Sequence, residues 1–265
     1  MVAAARADFL DRLAAAERRD VGSSKVHAAA PQESVASDCL ARLAVAQVLV
    51  INLERRADRR ALMEAQLRQL LHRPQVEFVR AHDGNDDHTA AWRTRRPVLP
   101  PPASKHRYVA ACFASWESAL ARALEIGQFP CLVLEDDTNL VQPAAYAIGD
   151  ALRVPADAEL VALANGEEIL PFRGNSRTWL TKSSGSIRAR CHSNGAMLLP
   201  NAVGCRKLHA FLRSRPSINH VDRAMQVEFV AEAGGTVYHA IPPLYGWVES
   251  ASDIVGGVRA AQSTM

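Results

Sequence analysis

Pro130-Cys131-Leu132-Val133-Leu134-Glu135-Asp136-Asp137 is the stretch on which the reading of this chain turns. Cys-Leu-Val-Leu behind a proline is a short strand buried on both faces. Three carboxylates follow at once. Adjacent anions repel and desolvation disfavours their charged forms, so acids in this place call for compensation, which a divalent cation supplies. In open α/β sheets the ligand crevice lies beyond the carboxyl ends of the strands, where Glu135, Asp136 and Asp137 sit on this reading. Strand alternation sends Glu135 and Asp137 to one side, as two ligands for one ion, and turns Asp136 away. A solvated acidic turn capping a strand is the plainer alternative.

Toward the N-terminus, residues 46–53 (AQVLVINL) form a first buried strand, ending at Asn52 and Leu53. The helix that follows spans residues 54–71, with Leu62, Leu67, Leu70 and Leu71 on its apolar side. Arg55, Arg56, Arg59 and Arg60 collect at its start, where cations oppose the macrodipole unless anions such as a diphosphate come to them. A solvated basic turn, with Glu54 and Asp58 as partners, is the alternative. Residues 76–79 are a second strand, closed by the turn Ala81-His82-Asp83-Gly84, and Asp83 is a candidate ribose or base contact. The polar, proline-interrupted run 85–107 reads as a long loop. A helix resumes at Tyr108 with Cys112, Trp116, Ala119, Leu120 and Ala123 on one face, and Gly127 ends it before the acidic strand.

Toward the C-terminus, a helix is expected from Pro143 and a strand at residues 159–163. The turn-rich segment 165–186 carries Glu167, Glu168, Arg173, Arg177 and Trp179, and rim loops of this kind select substrates. Residues 187–191 and 196–199 can pair as strands. Asn201 begins a helix with Val203, Leu208, Phe211 and Leu212. His220-Val221-Asp222 opens another helix to about residue 233, where Gly234-Gly235 stops it. A last strand, 236–241, leads into Pro242-Pro243-Leu244-Tyr245-Gly246-Trp247.

Alternating strands and helices make this an α/β chain. Its 265 residues suffice for one large domain with an appendage, here a helix and linker over 1–44 before a catalytic domain over 45–265. A net charge of +3 is too small to argue for nucleic acid, and the basic loop at 93–96 lacks interleaved aromatics beyond Trp92. The cysteines at 39, 112, 131, 191 and 205 form no CxxC pair, which favours reduced thiols over a disulfide scaffold. No eighteen-residue apolar run predicts a membrane span, and the start resembles neither a signal nor a transit peptide. The expectation is a soluble protein, cytoplasmic by preference, without a nucleic-acid partner.

Four separated segments carry a resemblance to glycosyltransferase family 25, the group of lipooligosaccharide galactosyltransferases and the sugar-transferring domains of collagen-modifying enzymes. They are VLVINLERRADRR, then AHDG, then ACFASWESALARALEIGQFPCLVLEDD, and the series NGAMLLPNAVGCRKL, HVD, PPL and SDI, together covering roughly residues 46–254. The chain departs from the family pattern in places. Ser115-Trp116 stands where Ser-His is usual, Leu120 where Trp is usual, Trp247 where a Gln is usual, and His220 where a Pro is usual.

The resemblance implies a GT-A-like, Rossmann-type nucleotide-sugar-binding domain of three α/β/α layers. It implies inverting transfer of a hexose, most often galactose from UDP-galactose, to a hydroxyl of a glycan, lipid-linked saccharide or protein. A diphosphate leaving group fits a hard ion, Mn²⁺ or Mg²⁺, held by one or two carboxylates and the substrate's own phosphates. Glu135 and Asp137 are the expected ligands, with His239 a candidate third. The expected donor-binding set is Asn52, Arg56, Arg59, Asp83, Asp136, Asn194 and Gly195. Asp222 is the candidate general base, although an Asp at a helix start also reads as an N-cap. Two other readings are a nucleotide-binding protein that has lost turnover, motivated by Trp116 and Trp247, and a metal-dependent phosphotransferase.

Overall fold

The structure, a computed structural model, describes residues 43–68, 73–86, 96–98, 106–140, 153–164, 180–183, 194–240, 245–247, 250–251 and 258–259. The expected helices near the N-terminus and after Pro143, the strand at 187–191, and Glu167, Glu168, Arg173, Arg177 and Trp179 lie outside those residues.

The strands are β1 (Gln47–Asn52), β2 (Gln75–Arg80), β3 (Cys131–Glu135), β4 (Thr138–Asn139), β5 (Leu160–Ala162), β6 (Leu180–Lys182), β7 (Ala196–Leu199), β8 (Val237–Ala240) and β9 (Gly246–Trp247). A small hairpin, β10 (Ser250–Ala251) with β11 (Val258–Arg259), stands apart from the main sheet. The helices are α1 (Ala57–Arg68), α2 (His106–Ile126), α3 (Ala202–Ser214), α4 (Val221–Arg223) and α5 (Phe229–Ala233), with a π-helical turn, Ala224–Glu228, joining the last two.

Seven strands form one sheet in the order β2-β1-β3-β7-β5-β8-β6. The pairings β1–β2, β1–β3 and β5–β8 are parallel, while β7 runs against both of its neighbours and β6 runs against β8. The result is a mixed, Rossmann-like α/β sheet. Strand β7 is paired on both sides, with β3 and with β5. Leu180-Thr181-Lys182, expected within a loop, instead forms the sheet's edge.

Alternation along each strand builds two cores. Val48, Val50, Leu132, Leu134 and Leu198 face α1 through Met63, whereas Leu49, Ile51, Val133 and Met197 face α2, α3 and the helical run from Val221. Burying each such side chain contributes about 1.5–3 kcal/mol, so a one-residue register slip in β3 would exchange both sets and is strongly disfavoured. The buried stripe of α1 is Arg59 and Met63, one turn apart, with Leu67 packed beyond them; Leu62, expected inside, is 40% exposed. Val203 on α3 is likewise exposed, while Leu208 and Leu212 fill the core.

Caps fix the helix ends that frame the site. Asn201 accepts from the Gly204 N–H at 2.9 Å and starts α3. Gly234, at φ 60°, takes the left-handed conformation that ends α5. The N-cap of α4 is His220, which leaves Asp222 inside the first turn, so the capping role considered for Asp222 is not the one it has.

Candidate functional site

The carboxyl end of β3 is built from both faces of the sheet. Asp136 turns toward the α1 side, where Asn52 Nδ2 donates to its Oδ2 at 2.7 Å and Arg59 Nη1 donates to its Oδ1 at 2.9 Å. The same guanidinium nitrogen stands 3.5 Å from Asp137 Oδ2, so Asp137 shares Arg59 with Asp136 instead of joining Glu135 as alternation predicted, because the strand ends at Glu135. Burial pushes the Asp136 carboxyl above the usual aspartate range, with Arg59 and Asn52 opposing it. Part of the compensation that the sequence assigned to a metal ion is therefore a side chain of the protein itself.

Glu135 turns to the opposite side, as alternation requires. There the indole N–H of Trp116, a side chain with no exposed surface, donates to Glu135 Oε1 at 3.0 Å. The Glu135 backbone N–H donates to the Gly195 carbonyl at 2.9 Å, and the Thr138 hydroxyl donates to that same carbonyl. Beyond the acids, Gln66 of α1 donates to the Thr138 carbonyl at 3.1 Å and accepts from the Leu140 N–H at 2.8 Å. Strand β4 pairs with β9, placing the Trp247 backbone opposite Thr138. The turn carrying Asp136 and Asp137 is held from α1, β7 and β9 together.

A cleft opens at this edge, with about 720 Å³ of empty space, mouth included, within the range of small-molecule sites. Arg55, Arg59, Asp83, Glu135, Asp136 and Asp137 line it together with Tyr108, Cys112 and Trp116. Arg55 Nε donates to Asp83 Oδ2 at 2.6 Å. Burial would raise the Asp83 carboxyl, but the Asn85 backbone N–H and Arg55 outweigh it and hold it below the usual range. The turn bearing Asp83 is tied to α2, since the His82 N–H donates to Ser115 Oγ at 2.9 Å. A Cβ on Gly84 would stand 2.8 Å from the Tyr108 ring, so this close approach requires glycine.

The expected donor-binding residues divide into two groups. Arg59, Asp83 and Asp136 line the cleft. Asn52, 5% exposed, spends its amide on Asp136 and on the Arg56 carbonyl. Arg56 forks onto Asp58 at 2.9 and 2.8 Å, and Arg60 lies over the Phe78 ring. The four arginines are thus not one phosphate cradle; Arg55 and Arg59 are the two that reach the cleft. Asn194 pairs with Gln226, whose Nε2 donates to its Oδ1 at 2.9 Å, and Gly195 contributes its carbonyl to Glu135.

Strand order separates His239 from the acids. It lies on β8, with β7 and β5 between its strand and β3, roughly 14 Å away at the usual strand spacing. Asp222 is better placed. Its helical run leads down to β8, which is parallel to β3 through two reversals at β7, so its start lies at the sheet's carboxyl edge. The Asn194 amide, at that edge, stands 3.3 Å from Met225 Sδ, and Asp222 lies about one helical turn farther out, half-buried.

Among the described residues no three His, Cys, Asp or Glu side chains are grouped to hold a metal. Glu135, bonded to Trp116, and Asp137, beside Arg59, both line the cleft, and an ion held by one or two carboxylates would need the substrate's phosphates to complete its coordination. Among the cleft-lining residues are four carboxylates, Asp83, Glu135, Asp136 and Asp137, and two guanidiniums, Arg55 and Arg59.

Sequence reasoning missed Trp116, Gln66 and Ser115 as supports of the site. The only signal was for Trp116, placed on the buried face of α2 at a position where the resembled family has a histidine.

Residues 45–175 match the profile of glycosyltransferase family 25, described as an LPS biosynthesis protein. No curated protein matches the chain. The match supports a glycosyltransferase, and it spans the site from β1 to β5.

Proposed function

We propose, for a chain whose residues 45–175 carry the glycosyltransferase family 25 match, that it transfers a hexose, galactose first, from a UDP-sugar to an acceptor hydroxyl with inversion, on a GT-A-like domain. The acceptor classes are a glycan, a lipid-linked saccharide or a protein. The observation that carries this reading is the convergence of Glu135, Asp137, Arg59, Arg55 and Asp83 on one cleft at the carboxyl end of β3.

The division of labour follows from position. Glu135 and Asp137 would hold Mn²⁺ or Mg²⁺, which when bound would supply positive charge to the departing diphosphate. Arg59 and Arg55 orient the phosphates by charge-assisted hydrogen bonds, and Asp83, held ionised, accepts from the ribose hydroxyls. Asp222 takes the proton of the acceptor hydroxyl as it attacks the anomeric carbon from the side opposite the diphosphate. As in glycoside hydrolysis, positive charge develops on the sugar as the leaving group departs.

A panel of nucleotide sugars, assayed with manganese and with chelator, tests the proposal. The expected result is release of UDP from UDP-galactose that needs the metal and rises with a suitable acceptor. Nucleotide affinity with no release from any donor, acceptor present or not, would instead identify a binding protein.

A further inference from the structure

Trp116 is the largest fully buried side chain among the described residues, and its one polar atom is spent on a cleft acid, 3.0 Å from Glu135 Oε1. An indole N–H donates and cannot accept, so the bond forms only if a Glu135 oxygen faces it. Trp116 cannot swing away, because Phe113, Ala119, Leu120 and Val133 share its core. Glu135 is pinned again through its backbone to Gly195. The carboxylate is thereby held in one orientation at the cleft wall before any ligand arrives.

We infer that Trp116, which stands where the resembled family usually has a histidine, is a positioning residue for the cation site, its indole N–H fixing the Glu135 carboxylate as an ion ligand. The inference rests on the reading of Glu135 as a metal ligand given above. It also changes what the departure at 116 means: the residue present here aims a rigid N–H donor at the acid. Partners that orient a ligating side chain typically contribute tenfold to a hundredfold in metal affinity.

The test is Mn²⁺ binding, followed by the electron paramagnetic resonance of free Mn²⁺, in the presence of saturating UDP. Parent, Trp116→Phe and Glu135→Gln are compared with a protein carrying 3-benzothienylalanine at position 116. That isostere keeps the bicyclic shape and loses only the N–H, so it decides the matter even if Trp116→Phe fails to fold. The expected result is a rise of about tenfold or more in the Mn²⁺ dissociation constant for the isostere. Its melting temperature and its UDP affinity in chelator stay parental, which a purely structural role for the hydrogen bond would not give. Parental Mn²⁺ affinity in the isostere, with Glu135→Gln impaired, overturns the inference and leaves the metal reading standing. Absence of Mn²⁺ binding in parent and Glu135→Gln alike removes the metal reading, and this inference with it.

Discussion

Arg59 and Asp136, 77 residues apart in sequence, meet at 2.9 Å and join the first turns of α1 to the end of β3. Both are largely buried, and the Arg59 guanidinium opposes the burial that pushes the Asp136 carboxyl up. Arg59→Ala leaves an uncompensated carboxylate and is expected to cost about 3–5 kcal/mol, besides weakening UDP binding. Thermal unfolding checks the first effect. Arg59→Ala with Asp136→Asn should recover part of the loss, and a single mutant as stable as the parent would show that the pair is not coupled.

Cys112 lines the cleft, while Cys131 and Cys205 are buried thiols pushed up to about 12, in both cases chiefly by desolvation. Only the thiolate alkylates readily. In a background with Cys39→Ser and Cys191→Ser, a thiol reagent should modify Cys112 first and the other two only on unfolding. UDP with manganese should slow the reaction at Cys112 at least several-fold; mass spectrometry showing no protection would place the nucleotide elsewhere.

Edge strand β2 is pinned to α2 by Arg122, which forks onto Glu77 at 2.7 and 2.9 Å. The hydrogen bond from Arg122 holds the Glu77 carboxyl below its usual range against desolvation. A depressed carboxyl contributes stability above its unfolded pKa and loses it as pH falls through the folded one. The pair is part-exposed, so its contribution is under about 1 kcal/mol. The melting-temperature gap between parent and Glu77→Gln should be full at pH 7 and close as the pH falls below the ordinary glutamate range. A gap independent of pH would deny the linkage.

Asp222→Asn separates chemistry from structure. Since His220 holds the N-cap position of α4, the substitution should leave the melting temperature and UDP affinity near parental. Sugar transfer should fall by roughly a hundredfold or more. Transfer at parental rates would remove Asp222 from the mechanism.

The strands and the acidic edge were legible because they are local: apolar runs of strand length, and three acids directly after one of them. What was not legible depends on partners distant in sequence. The four arginines read as one cationic cluster, yet Arg59 lies on the buried stripe with Met63, its long stem carried inward and its head delivered to Asp136. His239 read as near the acids only because the order of β7, β5 and β8 in the sheet is invisible in a linear pattern. Trp116 matched its expected face of α2, but nothing local says that its N–H meets Glu135.

The most direct measurement is UDP affinity for the parent and Asp137→Asn, each in manganese and in chelator. If Glu135 and Asp137 hold the ion that carries the diphosphate, the parent should bind UDP more tightly in manganese. Asp137→Asn should lose about tenfold or more of that affinity while matching the parent in chelator. Equal affinity of the two proteins in manganese would contradict the account.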